Sequence, residues 1–260
     1  MNLREVISAQ SANYDSFYLY DERCIIEYTE RLKQHFPQVD FLYSVKCNAN
    51  PHVVRSVFSQ GFGADAASLG EVLIASGAGL SKDNIYYSAP GKTSYDLEQA
   101  VGKSTIIADS IEELKRLQAI AVKLDTRIDI GVRLNPDFSF CGSGGQPSKF
   151  GVDEKQLYEF LAENTLRNIK ITGIHVHLKS QELDAGVLAG YYENMIRLAE
   201  RFQIVNRYEF VTSVEIQTTG KDIRTRQSFE RELRTIRTST NRFYVRFHAN
   251  GCLFYTSRCV

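Results

Sequence analysis

Short apolar runs alternate along this chain with longer stretches whose apolar residues recur at spacings of three and four. That alternation predicts repeated strand and helix units. After a first strand expected at Phe17–Tyr20, the strand-like runs are FLYSVK (41–46), GADAAS (63–68), NIYYSA (84–89), STIIADS (104–110), RIDIGVRLN (127–135), ITGIHVHL (171–178) and YEFV (208–211). Between them PHVVRSVFSQ, IEELKRLQAIAV, EKQLYEFLAEN and VLAGYYENMIRLAERF carry helical periodicity. Asn50 before Pro51, and Ser110 before its helix, have the chemistry of N-caps. Seven strands with helical crossovers suit either a (β/α)8 barrel or an open doubly wound sheet. Polar residues at the C-terminal ends of separate strands (Lys46, Ser68, Asp109, Asn135, His177) favour the barrel, which builds its sites at that rim, whereas an open sheet gathers them at one switch point.

Composition narrows the partners. Lysine and arginine total 31, equal to aspartate and glutamate, so charge points neither to nucleic acid nor to an anionic membrane. No apolar run reaches the roughly 20 residues of a membrane span, and MNLREVISAQ lacks a secretory pattern, so a cytoplasmic enzyme acting on a small molecule is expected. Five scattered cysteines, with no pair at metal-ligand spacing, fit reduced thiols.

Within FLYSVK a period of two sets Leu42, Ser44 and Lys46 on one face and Phe41, Tyr43 and Val45 on the other. The bulky second face suits a covering helix. The first would point into a barrel, with Lys46 at its mouth as an amine able to attack an aldehyde. By position alone, a solvated lysine closing a strand is the better fit. The surrounding residues add more: YSVKCNANP (43–51), GADAASLGEV (63–72), SAPGKT (88–93), VRLNPD (132–137), SKFGV (148–152) and GIHVHLKSQ (173–181) occur in the order found in fold-type-III pyridoxal-phosphate (PLP) decarboxylases. Over roughly residues 15–210 the chain resembles that family, which includes diaminopimelate and ornithine decarboxylases. The resemblance implies an alanine-racemase-like barrel in which Lys46 holds PLP and Asp65 lies close to it, with Ser44 standing where the family more often has alanine. The connection SFCGSGGQPSKFG (139–151) is similar to that of members acting on amino acids tethered to carrier proteins.

In ITGIHVHL the alternation places His175 and His177 on the inward face. The resemblance makes His177 the imidazole lying against the PLP ring and Ser180 the hydroxyl binding its phosphate, with Lys179 in place of the usual glycine. A His-x-His strand also opens metal-dependent amidohydrolase sites, but His35, His52 and His248 lie in no matching context, so no metal is expected. Glu71 reads either as support for the lysine region or as a first-turn glutamate facing the helix dipole. Arg133 and Asn135 should point away from Val132 and Leu134, as a structural pair or as substrate contacts.

From about Val211 the rhythm stops, and TSVEIQTTGKDIRTRQSFERELRTIRTSTNRF is crowded with Thr, Arg and Ser. The expectation is therefore a PLP-binding barrel over 1–210, incomplete at its C-terminal end, and a divergent or truncated segment over 211–260 without the family β-domain. The family's glycine-rich phosphate loop and its carboxylate for the pyridine nitrogen find no counterpart there. The resemblance implies amino-acid decarboxylation and a homodimer. The alternatives are a PLP-binding fragment without activity or an amino-acid racemase.

Overall fold

The computed structural model describes residues 3–37, 39–139, 142–163, 165–178 and 184–202, together with the strands at 209–212, 242–247 and 253–256. The strands are β1 (Ser16–Leu19), β2 (Val39–Ser44), β3 (Gly63–Ala66), β4 (Ile85–Tyr87), β5 (Thr105–Ala108), β6 (Ile128–Asn135), β7 (Phe138–Ser139), β8 (Gly142–Ser143), β9 (Val152–Asp153), β10 (Ile169–Val176), β11 (Glu209–Thr212), β12 (Arg242–Phe247) and β13 (Leu253–Thr256). The helices are α1 (Leu3–Ser11), α2 (Glu22–His35), α3 (Pro51–Ser59), α4 (Leu69–Gly77), α5 (Ser94–Ala100), α6 (Ile111–Lys123), α7 (Glu154–Ala162) and α8 (Ala185–Arg201).

Strand pairing decides between the barrel and the open sheet. The parallel order runs β2, β3, β4, β5, β6, β10, β11, β12, and β12 pairs back onto β2, so eight strands close a ring. The closing strand, Arg242–Phe247, is one the sequence does not predict, because it follows a stretch without strand and helix rhythm. Outside the ring, β1 pairs antiparallel with β13, β7 with β8, and β9 extends the end of β6.

Alternation along the strands sorts side chains into two cores. Phe41, Tyr43 and Val45, Ala64 and Ala66, and Ile130, Val132 and Leu134 pack against the helices. Leu42, Tyr86 and Ile107 form a separate cluster, a plug inside the ring. Gly63 makes room there, since a Cβ at that position would lie 2.6 Å from Leu42 Cδ2 and 2.7 Å from the Asn84 carbonyl oxygen. In β10 the outward positions are Ile169, Ile171, Ile174 and Val176. The three-residue step between Ile171 and Ile174 coincides with a register irregularity against β6, a bulge that resets the alternation.

Most helices that follow a ring strand start with a side-chain cap. Asn50, Ser68, Thr93, Ser110 and Asp184 each accept a backbone N–H from the first turn of their helix. Such caps satisfy otherwise orphaned donors and fix where each strand hands over to its helix. No helix among the described residues is long and apolar enough to cross a membrane.

Candidate active site at the barrel rim

Above the apolar plug lies a polar layer, assembled strand by strand. Ser44 and Asp65 are register partners on β2 and β3, and both are fully buried. The Ser44 hydroxyl donates to Asp65 Oδ2 at 3.3 Å, and Ser88, just past β4, donates to Asp65 Oδ1 at 2.7 Å. Farther round the ring, Arg133 Nη1 meets Asp109 Oδ1 at 3.2 Å, with both side chains about nine-tenths buried. Its guanidinium also lies 4.8 Å from the centre of the Phe150 ring. His175, 2% exposed, sits beside Arg133 across the β6–β10 pairing. Burial pushes the Asp109 carboxyl above the usual aspartate range, while Arg133 and the Gly151 backbone N–H oppose that shift.

Lys46 is one turn higher. The sequence places it within the strand, but β2 ends at Ser44 and Val45–Cys47 form a 3-10 turn, so Lys46 stands on the rim rather than within the ladder. Its side chain is exposed, and no hydrogen bond or ion pair among the described residues claims its ammonium. Lys92 is the opposite case: its ammonium is buried at 2.8 Å from Glu113 Oε2, and burial pulls it below the usual lysine range despite that carboxylate.

Glu71 lies in the first turn of α4, and among the described residues no hydrogen bond joins it to Lys46. Its Oε2 accepts the Ala67 backbone N–H at 2.8 Å, and its own N–H is capped by Ser68 Oγ at 3.2 Å, so it is part of the α4 cap. It also feels the charges of Asp65 and Lys46. Burial raises its carboxyl above the ordinary glutamate range and Asp65 adds to the rise, whereas the Ala67 N–H, the Ser68 hydroxyl and the Lys46 charge oppose it.

The rim residues therefore divide. Ser68 is a helix cap, Asp109 a partner of Arg133, and Asn135 donates to Asp153 at 2.8 Å and to the Gln146 carbonyl at 3.1 Å. Lys46 and His177 remain at the open end. His177 lies one residue past β10 and is half-buried. Ser180, with Lys179, lies outside the described residues. Sequence reasoning passed over Ser44 and Ser88 as working groups; the signal available was a small hydroxyl two positions before the lysine and another at the end of the next strand but one.

The structure is thus a closed parallel barrel with an exposed lysine on its rim and a buried carboxylate in the polar layer below. The family described as "Pyridoxal-dependent decarboxylase, pyridoxal binding domain" matches residues 22–214, and the chain belongs to this family. It is 36% identical over 193 residues to a diaminopimelate decarboxylase of Aquifex aeolicus, covering 70% of this chain and 46% of that protein. It is 37% identical over 194 residues to an L-glutamyl-[BtrI acyl-carrier protein] decarboxylase of Niallia circulans, covering 71% and 45%. The fold superposes on a mutant form of the diaminopimelate decarboxylase of Helicobacter pylori complexed with L-lysine with a TM-score of 0.80 at 23% identity, over 96% of this chain and 68% of the other. The chain thus spans about half the length of these curated relatives.

Proposed function

We propose that this chain provides the cofactor-binding barrel of an amino-acid decarboxylase, with PLP held by Lys46. The observation that carries the reading is Lys46 itself, a rim lysine free of ion pairs among the described residues, on a turn packed against the strand that holds the buried Asp65, within the family's pyridoxal-binding domain. The donor set fits the cofactor: an exposed amine for its aldehyde, a half-buried imidazole at His177 for its ring, and an apolar plug of Leu42, Tyr86 and Ile107 that closes the barrel beneath. When bound, PLP supplies an electron sink for cleavage next to the substrate amine.

The chain's own part is binding and orientation. Lys46 would make the covalent attachment, with Asp65 on the neighbouring strand, His177 would support the ring, and Ser180 is assigned to the phosphate on the resemblance alone. The substrate is an amino acid, with diaminopimelate, ornithine and a carrier-linked amino acid as the candidates the relatives suggest. A cytoplasmic homodimer extends the same proposal, as does a division into a 1–210 unit and a remainder, although β12 brings backbone from beyond residue 210 into the ring.

The test is borohydride reduction of the protein with PLP, followed by peptide mass mapping. The tag is expected on Lys46, and a tag on another lysine overturns the assignment. Release of CO2 from diaminopimelate, ornithine, lysine, arginine and a glutamyl carrier protein then reads substrate choice. The same protein racemising one of these without CO2 release would favour the racemase alternative.

A further inference from the structure

Asp65 is held from two sides. Ser44 on β2 donates to one carboxylate oxygen at 3.3 Å and Ser88 past β4 donates to the other at 2.7 Å, and Ser44 and Asp65 are both 0% exposed. The three side chains come from neighbouring strands in one layer of the barrel. A buried carboxylate missing one of its donors seeks another, because leaving it unsatisfied costs more than any ordinary hydrogen bond returns. The nearest candidate by chain position is Lys46, two residues beyond Ser44 and not ion-paired among the described residues. The turn Val45–Cys47 packs against β3, which sets Lys46 beside the strand that carries Asp65.

We infer that Ser44 and Ser88 form a hydroxyl clamp that satisfies Asp65 on both oxygens and so keeps it from capturing Lys46 as an ion pair. Both serines are positioning residues, acting on the rim amine through the carboxylate between them. The clamp accounts for how a lysine next to a buried anion stays uncommitted. It also gives Ser44 a purpose, where alanine would leave Oδ2 without that donor. Its value for cofactor capture rests on the reading of Lys46 given above; its effect on the amine does not.

Two measurements separate these claims. Without cofactor, Lys46 is labelled at fixed pH by a small acylating reagent and its rate is read by peptide mass mapping. Ser44→Ala and Ser88→Ala are expected to slow labelling of Lys46 about tenfold, the scale of one hydrogen bond to a charged group. Ser44→Thr and Ser88→Thr should restore it. Adding Asp65→Asn to Ser44→Ala should also restore it, since the trap has lost its charge. A merely structural role would lower the melting temperature of the alanine variants and leave the Lys46 rate, relative to other exposed lysines, unchanged. That result, or no recovery in Ser44→Ala with Asp65→Asn, overturns the clamp. With PLP added, the alanine variants should also form the visible-absorbing adduct more slowly. If wild-type protein forms no adduct at Lys46 while the labelling pattern holds, the proposed function fails and the clamp stands.

Discussion

At the scale of single residues, His175 of β10 and His177 just past its end are expected to behave differently although alternation sets both on one face. His177 is half-buried past the strand end, so His177→Ala should weaken PLP retention by on the order of 1 kcal/mol, the value of an aromatic contact. His175 is buried beside Arg133, so His175→Ala should lower unfolding free energy while leaving PLP titration nearly unchanged. The reverse pattern would show that the inward face has been assigned one register off. Glu71 carries a pH signature. Its folded-state carboxyl is raised above 4.5, so its contribution to stability is fully present below that value and is lost as pH rises through the folded value. Measured by urea unfolding from acid to neutral pH, the wild type should lose stability relative to Glu71→Gln across that window. A constant difference would mean that Glu71 acts only as a cap. The inward position of His175 was legible because period-two alternation carries it directly into sequence, whereas Asp65 was assigned through the family resemblance and Lys46 stands in a turn past its strand. The roles of Ser68, Asp109 and Asn135 were not legible, since a capping, paired or bridging side chain reads the same as a catalytic one until its partner is known.

Among elements, α6 binds the ends of two strands through one buried ion pair. Glu113 accepts the Lys92 ammonium, the Lys92 backbone N–H and the Asp109 backbone N–H, while Arg116 donates to the Lys92 carbonyl at 2.7 Å. Removing one partner leaves a buried charge uncompensated. Glu113→Ala should therefore cost about 3–5 kcal/mol in denaturant unfolding, whereas Lys92→Met combined with Glu113→Leu should fall close to wild type. Equal losses in the two proteins would mean that the backbone hydrogen bonds, and not the charges, hold the loop. From the sequence this pair is invisible: Lys92 and Glu113 are 21 residues apart, and helix periodicity says only that Glu113 lies on the first turn. The β10 bulge escapes for a similar reason, because one extra residue shifts the inward face without changing composition.

For the whole molecule, closure depends on β12. Its backbone pairs with β11 on one side and with β2 on the other, so a substitution that removes a ladder donor there acts on the ring and not on an edge. Val245→Pro should destabilise the protein by well over the ~1 kcal/mol of a typical point substitution, and a variant as stable as wild type would exclude β12 from the folded ring. RFYVRF (242–247) has aromatic and β-branched residues in a short run, a fair strand signal by itself. It was passed over because the thirty residues before it lack the helical period that announces the other crossovers. The repeated units were legible from local pattern, and the closure was not, since pairing between distant segments leaves no mark in either one.

That closure also sets an order of events during synthesis. β2 meets β12 only after about 200 intervening residues have been made, and a contact so remote in sequence is among the slowest to form, because its loop-closure entropy is lost before any pairing rewards it. Until then β2 and β11 would each present an open backbone row to the cell. In refolding from denaturant, the units from β2 to β6 should gain hydrogen-exchange protection first and β2 should gain its full protection last, together with β12. Protection of β2 complete before β12 would show that the nascent barrel does not wait for its final strand.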